Sequence, residues 1–549
     1  MRRLQRWLLP VLMPLLMAGG CTKHSGPPAV QADRPRELAT QAIAAQHLRR
    51  QIDKEIRTLD PSLCTDIIGQ RVIDDLFEGL VRVDPAGQIV PGVARTWESS
   101  PDGRKWTFHL RDDARWSNGD KVTAADFVYG WQREVDPLTA SETSEQLAPI
   151  VNALAIAAGK MPPDRLGVKA RDALTLDVQL EAPTGYFLYL LTNPFLMPLH
   201  QATIEAHGPS WTDAGNLVGN GAFLLVAQRV NAAIQLRRNP HYWDAARVRL
   251  NEVTYYPVTE RNSAVSRYLA GDVDLTDGFP IDDIGWLHER IGAETKLAPY
   301  FGTMLLGMHV GRPPFDSVPL RLAMTMAIDR DVIADKLRRG LYLPAYNIVP
   351  PLEGYQAVLP EWAGWPAEKR HARARELYAQ AGYSKEKPLR VEFSYPTQDA
   401  DTGLILEALV AMWRLNLGAE IQLVNEEWRV HQQNRRLGKP NLYWVPWIGD
   451  YPDPLTFLAL ARRGNAQNYG QYHNASFENA LTNAATTTDP AQRYRDYAEA
   501  EVQLNADPAF IPIYFYKSRH LVHSYVKGWQ TNTMDRNLSR DLYLAAGGN

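Results

Sequence analysis

Cysteine is almost missing from this chain: Cys21 and Cys64 are the two in 549 residues. A disulfide framework or a cysteine-rich metal site is therefore excluded. A long basic run is also missing, and the formal net charge is −3. That composition excludes nucleic acid as a partner. The apolar stretch Trp7–Met17 is too short to span a bilayer comfortably. There is no HExxH, GxSxG, P-loop or CxxC motif, and the 13 histidines are scattered. His520 and His523 sit three apart in a strand-to-loop region, a poor metal pair, and Asp112-Asp113 falls in a turn. No catalytic residue, metal or cofactor is expected.

What is present is 45% hydrophobic and 22% charged, the balance of a soluble globular protein. The length calls for two or three domains. Arg2, Arg3 and Arg6 precede the apolar stretch, and Ala18-Gly19-Gly20 leads into Cys21. Residues 1–20 thus resemble a bacterial lipoprotein signal with Cys21 as the lipidated residue, although Ala18 stands where Leu is usual. The alternative is an ordinary cleaved signal with an incidental cysteine. Lipid on Cys21 would leave Cys64 without an intrachain partner and tether a soluble body to a membrane. Thr22–Pro35 suits a tether, and Arg36–Arg50 has the composition of a short surface helix.

Along the chain, Leu59-Asp60-Pro61 is expected to close a first strand, and Arg71–Leu80 carries apolar residues at helical spacing. Trp106–Arg111 alternates with period two. Thr123, with Asp126 three residues on, starts a helix through a capping box. Leu174–Leu180 and Ile234–Arg238 are expected strands, Thr184–Thr192 a helix, and Asn239–Asp244 a turn. Pro319–Arg339 is a long helical pattern, and Lys369–Ala381 a helix ending at Gly382. Thr402–Leu415 and Gln492–Leu504 are further helices. Leu389–Phe393, Ile421–Val424 and Ile511–Tyr516 are strands. Strands and helices alternate without a repeat, which favours α/β with mixed sheets.

One stretch stands apart. In Tyr443–Phe457, Trp444, Trp447 and Tyr451 crowd the single carboxylate of Asp450. Pro446, Pro452 and Pro454 argue against a regular helix or a central strand there. A buried acid needs a partner, and a ligand with a cation would supply one. The plain alternative is a solvated surface turn signalled by Asp453-Pro454.

From about Gln51 to the C-terminus the chain resembles the periplasmic oligopeptide-binding proteins, solute-binding subunits of peptide ABC importers. The stretches that carry this are Thr58–Pro61, Asp75–Leu80, Gly92–Ala94 with Trp106–Trp116, Val122–Arg133, Asn239–Trp243, Ala327–Asp331, Glu427-Trp428 and Ile448–Pro454. The resemblance implies a two-lobed periplasmic-binding-protein clam, class II-like, α/β with mixed sheets and an extra small domain, three domains in all. Lobe I would comprise 47–77, 200–301 and 518–549, the small domain 78–199, and lobe II 302–517. Residues 21–46 would be tether and short helix. The family's best-known members carry a disulfide whose positions correspond to Gly302 and Ile448, so both halves are missing together, at a cost of at most a few kcal/mol.

The resemblance also implies a site. Asp450 would take the ligand's ammonium, a charge-assisted bond worth about 1.5–3 kcal/mol. The ligand backbone would add as a strand beside Ile448-Gly449 and a strand matching Thr65-Asp66-Ile67, with Gly449 allowing close approach. Trp428 and Trp447 would line side-chain pockets. Arg435 and Tyr516 would edge the cleft, although a solvated helix face and core packing are their plain alternatives. Departures fall at the other end: Trp444 replaces a basic residue, Asp401 a histidine that meets the ligand carboxylate, and Thr65 an acid. Lys336, Arg338 or Arg339 remain as sources of positive charge. The implied role is capture of oligopeptides and delivery to an ABC permease, by a periplasmic monomer held at a membrane of a Gram-negative bacterium. Other amine-bearing cargo, such as a dipeptide or murein peptide, and a lipid-anchored sensor or chaperone stay open, while an enzyme has no motif behind it.

Overall fold

The computed structural model describes residues 30–397 and 400–546. The signal 1–20, Cys21 and the first part of the tether lie outside the described residues, as does the side chain of Asp401. The first described element is the helix Val30–Ala45, which takes in the end of the expected tether and only part of Arg36–Arg50. The chain turns at Gln46, φ +49°, into the strand His47–Ile52. Burial of Leu48 and Ile52 at 0% exposure explains why this segment leaves the helix. Leu59-Asp60-Pro61 closes no strand; Asp60 is buried and forked by Arg133 at 2.9 and 2.6 Å.

His47–Ile52 pairs in parallel with Glu252–Pro257, which continues antiparallel to Ala233–Arg238 and then Phe223–Arg229. A second four-stranded sheet orders Ala94–Ser99, Lys105–Leu110, Thr175–Gln179 and Val168–Asp172. Beside it runs Ala124–Val135, whose capping box between Thr123 and Asp126 is formed. Both sheets share one continuous hydrophobic core, which also holds Phe187 and Leu190 of the short helix Phe187–Leu190. Tyr242 and Trp243 of the 239–244 turn both donate to Glu78.

The third sheet has six strands in the order Leu343–Pro344, Phe510–Leu521, Thr295–Met308, Leu442–Ile448, Arg390–Pro396 and Glu420–Glu426. Two cores of its own cover its faces. The long strands Thr295–Met308 and Phe510–Leu521 run on from this sheet toward the first, with a register break between Pro299 and Thr303. The chain is thus a two-lobed α/β clam in which the two four-stranded sheets share one core and the six-stranded sheet has its own. The Pro319–Arg339 pattern splits into the helix Val318–Met326 and the wide turn Val332–Leu337. Arg330 is the reason. Fully buried, its guanidinium donates to the carbonyls of Thr325, Ile328 and Pro512, which takes helix-end acceptors out of the ladder.

Candidate functional site between the lobes

The strand Leu442–Ile448 carries the site to the cleft. Asn441 carbonyl accepts from the His309 N–H, and the Gly449 N–H donates to Phe301 carbonyl, both at 2.8 Å. Odd-numbered residues therefore bond to Thr295–Met308, and Trp444, Pro446 and Ile448 turn their main-chain groups to the other edge. On that edge Arg390–Pro396 pairs only with Leu442 and Tyr443. Pro446 consequently sits in a central strand after all, since its missing N–H falls beyond the end of the neighbour. Trp444 carbonyl is taken by Arg435 and His431, each at 3.2 Å. The N–H and C=O of Ile448 are left facing the cleft.

A cavity of about 250 Å³ opens at this strand end. Ile448, Gly449 and Asp450 line it from lobe II, and Thr143 and Gln146 from the small domain. Lobe I supplies Thr65, Ile67, one side of the helix Ile67–Leu76, and Asp535 and Arg536. Thr65-Asp66-Ile67 is a helix start rather than a strand: Asp66 caps the helix, accepting from the Gly69 N–H at 3.0 Å. That cap also explains why the helix expected at Arg71–Leu80 begins earlier.

The Asp450 side chain meets water in the cleft yet is walled by protein on its other sides. Asp450 is itself exposed to the cleft, and desolvation by the walls around it pushes its carboxyl up to about 6, against hydrogen bonds from Gln146 and Thr456. Thr456 Oγ1 also accepts from the Asp450 N–H and the Trp447 indole, both at 3.2 Å, so one hydroxyl fixes the loop and its tryptophan. The cations across the cavity are already paired. Arg71 bridges Asp277 and Asp535, and Arg536 reaches both oxygens of Asp74 at 2.9 Å. His520 meets Asp535 at 2.7 Å and the Thr276 carbonyl at 2.8 Å. Among the described residues no ion pair involves Asp450, which leaves it the uncompensated charge of the cavity.

The other expected residues lie elsewhere. Trp444 is 3% exposed and belongs to the lobe II core, because even positions of its strand face that side. Arg435 is 5% exposed, bonded to Trp444 carbonyl and lying over Tyr469. Trp428 opens the helix Trp428–Arg436 with 48% exposure and does not line the cavity. Trp447 packs at the edge of a lobe II core, and Tyr516 packs edge-on against Tyr342 and Tyr514. Gly449 lines the cavity, and a Cβ there would strike the Phe301 ring. Gly302 and Ile448 are direct cross-strand partners, and Ile448 Cδ1 fills the space a side chain on Gly302 would need. Arg339 pairs with Asp282, and Arg338 lies between Tyr342 and Tyr514. Thr143, Gln146, Asp535 and Arg536 were not anticipated; no local pattern marks them.

Residues 88–469 match the family described as bacterial extracellular solute-binding proteins, family 5 Middle. The chain belongs to this family. It is 38% identical over 97% of either chain to the periplasmic oligopeptide-binding protein OppA of Escherichia coli K12. The unliganded open form of the periplasmic murein tripeptide-binding protein MppA superposes with TM-score 0.79 at 37% identity, covering 91% of this chain and 97% of that one. Haemophilus influenzae OppA in complex with RPPGFSPFR gives 0.78 at 34% identity, over 91% and 99%. Among family 5 proteins, then, this chain keeps the whole clam. No helix among the described residues is long and apolar enough to cross a membrane.

Proposed function

We propose that this family 5 protein captures peptides by their amino end between its lobes and hands them to an ABC permease. The observation that carries this is the unpaired Asp450 carboxylate in an interlobe cavity, beside the outward main-chain groups of Ile448. An ammonium completes the charge, and an extended backbone completes the strand edge. The cavity is smaller than the roughly 300–1,000 Å³ of common ligand pockets, which favours short peptides or a buried amino end with the rest of the ligand outside. Because Arg71 and Arg536 already hold carboxylates, a free ligand carboxylate has no cation waiting in the cavity. We place the protein in the periplasm as a monomer without cofactor or catalysis, anchored through lipid on Cys21. We divide it as lobe I 47–77, 200–301 and 518–549, small domain 78–199, and lobe II 302–517.

Titration calorimetry with trialanine tests the reading. Asp450→Asn is expected to weaken binding about 10- to 100-fold, and N-acetylation of the peptide to cost wild type a similar factor. Amidating the peptide's C-terminus is expected to change affinity less than threefold by the same arithmetic. Equal affinity of wild type and Asp450→Asn sinks the reading.

A further inference from the structure

We propose that Gly185-Tyr186 of the small domain is a latch that positions the Asp450 loop when the lobes come together; this deepens the peptide-capture reading and rests on it. The small domain shares its core with lobe I, so any contact it makes with lobe II is a contact between the two moving halves. Phe187 and Leu190 anchor the segment in that shared core. On its other side, Tyr186 stacks on Tyr451 with ring centroids 3.9 Å apart and planes 5° from parallel. Tyr451 is the residue next to Asp450.

A second pin reaches the same loop. Asp453 is buried and pairs with Arg493 at 3.6 Å. The Arg493 guanidinium lies on Gly185, where a Cβ would overlap it. Tyr451 is therefore held directly by the opposite half, and Asp453 is held by Arg493 of its own lobe, whose guanidinium packs on Gly185 of the opposite half. The Tyr186–Tyr451 stack and the packing of Arg493 on Gly185 are lost if the halves separate, while the Asp453–Arg493 pair, within lobe II, stays. Tyr186 is thus a positioning residue: it acts on Asp450 through Tyr451 and touches no ligand. Asp450 is presented in binding geometry only in the closed arrangement, which couples capture to closure.

The test compares Tyr186→Ala, Tyr186→Phe and Gly185→Ala in the full chain. Tyr186→Ala is expected to weaken trialanine binding roughly 3- to 10-fold, the range of an aromatic pair, with the loss in a faster dissociation rate. Tyr186→Phe keeps the ring and is expected to stay within about twofold of wild type. Small-angle scattering of the ligand-free protein is expected to show a larger radius of gyration for Tyr186→Ala and for Gly185→Ala, which dislodges Arg493 without touching the stack. Scattering unchanged in both variants overturns the latch, whatever the peptide does. A wild type that ignores trialanine while the variants still expand removes the peptide reading and leaves the latch standing.

Discussion

Asp450 owes its character to what surrounds it. Desolvation by the walls around it lifts its carboxyl to about 6, and the nearest donors, Gln146 and Thr456, are neutral. A ligand ammonium would pull that value down, so the deprotonated form is the one that binds. Affinity for trialanine is expected to be flat between about pH 6 and 7.5, to fall about tenfold per unit below that range as the free carboxylate takes up a proton, and to fall again above about pH 8 as the peptide amine loses its own. Calorimetry between pH 4.5 and 8 checks this, and affinity independent of pH contradicts it. That Asp450 stands apart was legible in the sequence, since an acid among Trp447, Tyr451 and three prolines fits neither core nor helix; the structure places it on the cavity between the lobes, and its ligand role is the proposal made above. The fate of Trp444 and Arg435 was not. Alignment with a family gave them site roles, whereas strand parity sends Trp444 inward and Arg435 follows its carbonyl.

At the scale of elements, local rules served where the signal was local. The Thr123–Asp126 capping box formed as its spacing demands. Gly382, at φ +86°, follows the end of the helix Ala367–Gln380. The sequence pattern failed where a distant group intervenes. Pro319–Arg339 keeps helical periodicity, yet Arg330 folds back on three carbonyls and stops the helix. Replacing it, as Arg330→Leu, strands those carbonyls in a buried site and is expected to cost about 2–4 kcal/mol. Urea unfolding reads this directly, and a loss under 1 kcal/mol would return Arg330 to an ordinary core role. Pro446 teaches the converse: a proline is excluded from a central strand only where a neighbour needs its N–H.

For the whole molecule, the cavity gathers residues from 65–74, 143–146, 448–450 and 535–536. No window of sequence contains that assembly; resemblance to a clam points to 65–67 and 448–450, while 143–146 and 535–536 join them only in the folded chain. Binding between lobes stabilises both. Trialanine at 100 times its Kd is expected to add about 2.7 kcal/mol to unfolding, seen as a rise in Tm. Asp450→Asn at the same peptide concentration is expected to show almost none of it, and an equal rise in the variant would place the ligand elsewhere.

The most direct measurement is a carbon NMR titration of the Asp450 side-chain carboxyl, assigned by difference from Asp450→Asn, with and without saturating trialanine. Ion pairing with the peptide's amine is expected to move its midpoint from about 6 in the free protein to below about 4 in the complex. A midpoint that stays where it began when the peptide is bound would contradict the account.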